Sequence, residues 1–157
     1  MSQPQPLPHD PYITAVTDAL TAAGLDPTEH WTDSGELDRY RDDDLAGLAT
    51  MLTAVLVWED DHPALTTEAH RHGIALLWEH PVDGWLWAPH KRNGHLDHAP
   101  KFLPGLDRYA DPAAVVDSVR ALLTGHPVPT QQAPAWHQAD TTQAAVDAWT
   151  AAEEARS

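Results

Sequence analysis

The chain has no cysteine in its 157 residues. Disulfides, thiolate nucleophiles, cysteine-ligated zinc and iron–sulfur clusters are thereby excluded, and any metal would need histidine and carboxylate ligands. Basic side chains are scarce as well. Nine Lys and Arg stand against 24 Asp and Glu, a formal net charge of −15. Such a charge repels nucleic-acid phosphates and anionic membrane surfaces, so no direct nucleic-acid or membrane partner is expected. There is no run of about 18 apolar residues able to span a bilayer. Serine is confined to Ser2, Ser34, Ser118 and Ser157, none in an elbow or triad-like context, and no glycine-rich loop follows a strand-like run. Nucleophilic catalysis and nucleotide binding therefore lack their usual machinery, and neither a cofactor nor an enzymatic activity is expected.

What is present is a hydrophobic fraction of 42% with seven Trp, too apolar for a disordered chain and of a size that suits one core. Met1 to Pro11 is Pro- and Gln-rich without a basic or an apolar stretch. It does not read as a secretory signal, and a cytoplasmic location is expected. Asp10 as N-cap and Pro11 at the first helical position open a helix whose stripe is Ile13, Val16, Leu20 and Ala23, closed by Gly24. Leu25 to Asp44 reads as loop with at most a short strand. Asp44 is placed to cap a short helix through Leu45, Leu48 and Ala49. Leu52 to Trp58 is a β-branched apolar run, expected to be a central strand buried on both faces.

Leu65 to His72 reads either as two helical turns ended by Gly73 or as an ordered loop, with the helix slightly preferred. Ile74 to His80 and Trp85 to Pro89 then flank Pro81, Val82, Asp83 and Gly84, the turn chemistry of a β-hairpin. Alternation puts Trp78, His80, Trp85 and Trp87 on one face of it. His90 to Asp107 is a long loop. Asp111 and Pro112 start a second helix with the stripe Val115, Val116, Val119, Leu122 and Leu123, ended by Gly125. Residues 126–139 read as a Pro/Gln-rich linker. Asp140 with Gln143 resembles a capping box for a last, Ala-rich helix whose stripe is Val146, Trp149 and Ala152.

The expected architecture is α+β: a small antiparallel β-meander of about three to four strands packed by two amphipathic helices, plus a C-terminal Ala-rich helix after a linker. The boundaries expected are a disordered tail over 1–9, one domain over 10–125, a linker over 126–139 and a helix over 140–157. A helix ending Ala-Ala-Gly-Leu, a following Trp, an apolar strand, a Trp78 to Trp85 hairpin and an Asp-Pro-led helix ending Arg120 to Gly125 resemble the domain-of-unknown-function 6292 family of small actinobacterial proteins. The resemblance implies this fold over about Asp10 to Gly125 and carries no catalytic residue.

Three constellations are candidates for function. His90, His95, Asp97 and His98 are the four foremost candidates to ligate a divalent ion, with His70 and His72 as further ones, although they match no dedicated metal motif. Trp78, His80, Trp85 and Trp87, with Trp149 of the last helix, could form an interaction surface; packing beneath the helices is the competing expectation. The acidic triplets Asp42 to Asp44 and Glu59 to Asp61 could bind calcium, although no calcium-loop spacing is present, could imitate a phosphate backbone or could simply be solvated, and Lys91, Arg92, Lys101 and Arg108 could meet an acidic partner or neutralise the chain's own acids. The leading expectation is a non-enzymatic accessory or protein-interaction domain with a protein partner. An acidic inhibitor mimicking nucleic acid and a His-liganded metal-dependent enzyme are the rivals.

Overall fold

The computed structural model describes residues 7–36, 50–66, 68–80, 84–92, 96 and 100–156. Helix α1 (Asp10–Ala22) leads into strand β1 (Glu29–Glu36), followed by β2 (Thr50–Trp58), a single 3₁₀ turn at Glu68–His70, β3 (Ile74–His80), β4 (Trp85–Pro89), the short β5 (Lys101–Phe102), α2 (Pro112–Thr124) and α3 (Ala139–Arg156). The five strands form one antiparallel sheet in the order β1-β2-β3-β4-β5. Neighbours in sequence are thus neighbours in space, as short connections favour.

One face of the sheet is dry. Leu52, Ala54, Leu56 and Trp58 of β2 align with Trp78, Leu76 and Ile74 of β3 and, through them, with Trp85 of β4. All are fully buried and form one core with Tyr12, Ile13, Val16 and Leu20 of α1 and Val115, Val119, Leu122 and Leu123 of α2. β2 is therefore not buried on both faces as its apolar run suggested. Thr53, Val55 and Val57, which alternate with the core positions, are only half-buried, and the central strand of the sheet is β3.

α2 follows its local signals. The Asp111 carboxylate accepts from the Ala113 N–H at 3.2 Å, and Gly125 closes the helix in the left-handed conformation. α1 starts one residue earlier than expected, with His9 at the cap and Asp10 already helical. Asp10 reaches back to accept from the Leu7 N–H at 2.8 Å and takes a second hydrogen bond from the Thr32 hydroxyl at 2.7 Å. Of the tail expected over 1–9, residues 7–9 are described, and among them His9 is fully buried. The loop expected after Leu25 contains the eight-residue β1, and the two helical turns expected before Gly73 reduce to the 3₁₀ turn. The short helix expected after Asp44 lies outside the described residues.

The segment 126–139 is not a free linker. Ala133 N–H donates to Gly105 C=O, Trp136 N–H to Tyr109 C=O and Asp111 N–H to Pro134 C=O, all within 2.9 Å. A Cβ on Gly105 would stand 2.2 Å from the Gln131 carbonyl oxygen, so glycine is what lets this segment lie against the domain. Trp136 and Val146 of α3 are buried in the common core. α3 begins at Ala139, so Asp140 lies inside the helix. Gln143 does not cap it: its carbonyl accepts from Arg108 at 3.1 Å and its amide donates to Asp147 at 2.8 Å.

Two stability outcomes follow. Ending the chain after Gly125 removes two buried side chains worth about 1.5–3 kcal/mol each, so the urea midpoint should fall and a dye sensitive to apolar surface should bind. An unchanged midpoint would contradict the docking of 126–156. Gly73 has φ +95°, and a Cβ there would sit 2.3 Å from the Trp58 carbonyl oxygen. Gly73→Ala should therefore cost more than about 1 kcal/mol in equilibrium denaturation.

Candidate functional site

The aromatic face of the hairpin is core. Trp78 and Trp85 are fully buried. The Trp78 indole donates to the Arg108 carbonyl at 2.6 Å, and the Trp85 indole donates to the Tyr12 hydroxyl at 3.1 Å, which in turn donates to the Ala110 carbonyl at 2.6 Å. Every indole or phenol in this chain of contacts has its polar atom satisfied, as large aromatic groups require when buried. Trp87 is half-buried and meets His70 edge-on at 5.2 Å, and Trp149 is half-buried against the core. Trp78 and Trp85 are thus no part of an open surface, and His80, Trp87 and Trp149 have only their margins exposed.

The ionisable groups on this side are held neutral. His9 stacks on Trp78 at 5.0 Å with an interplanar angle of 10°. Its Nε2 lies 2.8 Å from the Thr53 carbonyl and must donate, which leaves Nδ1 as a bare lone pair with no partner among the described residues. Burial holds its pKa below the usual 6.5, against the opposing pull of the Thr53 carbonyl. His80 is pushed down to about 4, first by burial and then by the Arg108 guanidinium. Burial pushes the Tyr109 hydroxyl up to about 12, and that hydroxyl also lacks a partner among the described residues.

Because both histidines have depressed folded-state pKa values, the stability they confer is complete above about pH 6.5 and is lost as pH falls below it, for His80 toward about 4. The stability difference between the wild type and His80→Gln should shrink over that window in urea denaturation. A difference constant from pH 7 to 4.5 would show that His80 does not titrate as placed.

The opposite face of the sheet is built differently. Here the register aligns Trp31 with Val55, Val55 with Leu77, Leu77 with Leu86 and Leu86 with Phe102, one apolar row running across all five strands. Trp31 is 46% exposed and Phe102 58% exposed at the two ends of the row. The next row holds Glu29, Val57, Ala75 and Ala88. Among the described residues no helix lies on this face.

Part of it forms an open concavity of about 500 Å³. Val55, Val57, Ala75 and Leu77 make the floor, with Trp31 at one side and Leu96 at the other. Leu96 is held by an isolated bridge to His90 just beyond β4. Glu29, Glu59 and Asp60 stand where β1 begins and β2 ends, while Lys91 and Arg92 stand just past β4. Among the described residues neither Lys91 nor Arg92 has a carboxylate within 4 Å; Arg120 and Asp117, elsewhere on the surface, form an ion pair at 3.8 Å. For Lys91 and Arg92, self-neutralisation by direct pairing is not seen among the described residues. Of the other two, Arg108 bonds Gln143, and Lys101 is exposed on β5. His90 and His72 also line the concavity, and burial lowers the His90 pKa against the opposing pull of Glu59.

No family model, no curated protein and no solved structure matches this chain. The resemblance to the domain-of-unknown-function 6292 family rests on the motifs quoted above.

Of the four candidate metal ligands, His90 is on the concavity rim, whereas His95, Asp97 and His98 lie outside the described residues, as do Asp42, Asp43 and Asp44. Among the described residues no group of three His, Asp or Glu is placed to hold a metal ion. No described helix is long and apolar enough to cross a membrane. Sequence reasoning missed Trp31, which it left in a loop. It also missed that Val55, Val57 and Leu77 face outward; the signal was the unbroken apolar run of β2, which supplies a core on one side and a floor on the other.

Proposed function

We propose that the chain is a non-enzymatic protein-interaction domain that binds its partner across the outer face of the sheet. The observation that carries this reading is the cross-strand row Trp31, Val55, Leu77, Leu86 and Phe102, half-open along its length and exposed at both ends. Both ends of the row carry aromatic side chains, the class that dominates the energetics of protein interfaces. The helices already serve the other face, so the core does not need this row to be covered. A concavity with an apolar floor and a few polar groups at its margin is also the usual form of a recognition site.

Trp31→Ala tests the reading, because a side chain outside the core can be removed without unfolding the protein. Proteins that co-purify with the wild type from the native host should be lost with this variant, with affinity falling about 30-fold for an anchor worth about 2 kcal/mol. Arg120→Ala, on the helical side, should retain them. Retention by Trp31→Ala at unchanged affinity would refute the assignment of the outer face.

A further inference from the structure

The two rims of the concavity carry opposite charge. Glu29, Glu59 and Asp60 lie on the β1–β2 side and Lys91 and Arg92 on the β4 side, with Val55, Val57, Ala75 and Leu77 on the floor between them and His72 and His90 also in the lining. Strand spacing sets the span. From β2 to β4 is two intervals and from β1 to β4 three, or about 10–14 Å. An extended chain advances about 3.3 Å per residue, so this span separates two residues about three to four positions apart.

We infer that the concavity takes an extended segment of a partner protein, laid across the strands, with a basic side chain at the Glu29, Glu59 and Asp60 rim and a carboxylate at the Lys91 and Arg92 rim. This rests on the protein-interaction reading above and adds the chemistry of the partner. The apolar residues between the two charges lie on Val55, Val57, Ala75 and Leu77, beside the Trp31 indole. A free amino acid does not fit, because its two charges sit on one carbon and reach only one rim. A second copy of the chain brings a net charge of −15 of its own to a face whose edge strand already bears Glu29 and Asp33. A nucleic acid offers no cation to the acidic rim. Lys91 and Arg92 have no carboxylate partner among the described residues, so an incoming carboxylate breaks no ion pair among them.

Capped synthetic pentapeptides test this on the full chain. Lys-Val-Leu-Val-Glu carries the two charges four positions apart; Lys-Val-Leu-Val-Lys and Glu-Val-Leu-Val-Glu keep the apolar core and change the charge. Titration followed by backbone amide shifts should show the mixed-charge peptide binding at least tenfold more tightly than either control, with the affected amides in β1, β2, β3 and 90–92. Lys91→Glu combined with Arg92→Glu should move the preference to the Lys-Val-Leu-Val-Lys peptide. Both positions are exposed, and the thermal midpoint of the double variant verifies that the fold is kept.

Affinities within twofold of one another for the three peptides, no binding at 1 mM, or free lysine and glutamate competing as well as the pentapeptide would overturn the proposal. So would a dimer in sedimentation that Trp31→Ala dissolves, since the occupant would then be a second copy. If the peptides fail while Trp31→Ala still loses the captured proteins, the partner chemistry is wrong and the interaction surface stands. If both fail, the interaction reading falls too.

Discussion

The structure depends on the pairing of Trp78 with Trp85 across the hairpin and on the polar atoms that receive their indole N–H groups. Two fully buried indoles bring a large apolar area, but each also brings a donor whose isolation in the core would cost on the order of 1–3 kcal/mol. The Arg108 carbonyl accepts from one indole and the Tyr12 hydroxyl from the other, and the Tyr12 hydroxyl in turn donates to the Ala110 carbonyl. These bonds fix α1 and the approach to α2 against the same hairpin. Tyr109 and Trp136 then pack on Tyr12 at 5.5 Å and 5.3 Å. The segment after α2 is thereby drawn into the core although its composition is that of a linker.

Once the described helices are committed to the indole-bearing face, the other face is, among the described residues, left to the strands. A sheet exposed on one side usually alternates apolar with polar residues. β2 and β3 break that rule by keeping Val55, Val57, Ala75 and Leu77 on the outside. That departure from expected patterning distinguishes the outer face from an ordinary solvated surface, and it coincides with an exposed Trp31 on the neighbouring strand.

What was legible in the sequence is what local chemistry decides. Asp111, Pro112 and Gly125 bound α2 through a side-chain cap and a left-handed terminus that depend on nothing distant, and the two arms of the hairpin are separated by turn residues. β1 was only faintly legible because its inward positions are His30, Thr32 and Ser34, polar residues of which only Thr32 has intrinsic strand preference. It is a strand because β2 offers it eight residues of pairing. The docking of 126–139 was hidden for the same reason, since it relies on backbone bonds to Gly105 and Tyr109 that leave no trace in side-chain pattern. Trp31 therefore entered no candidate surface, while Trp78 and Trp85, conspicuous in sequence, are structural.

The two faces also treat charge in opposite ways, across a thickness of only one sheet. Towards the helices, burial drives His9 and His80 to the neutral form and holds Tyr12 and Tyr109 protonated, so the core carries ionisable groups without carrying charge. Towards the concavity, Glu29, Glu59, Asp60, Lys91 and Arg92 stand in or near water. A charge at an apolar margin costs little while solvated and becomes specific when a partner displaces that water, because an uncompensated charge is then penalised. On the proposed reading, opposed rims would select for a matched partner more than they add affinity, and the apolar floor with Trp31 would supply the attraction that the rims discriminate.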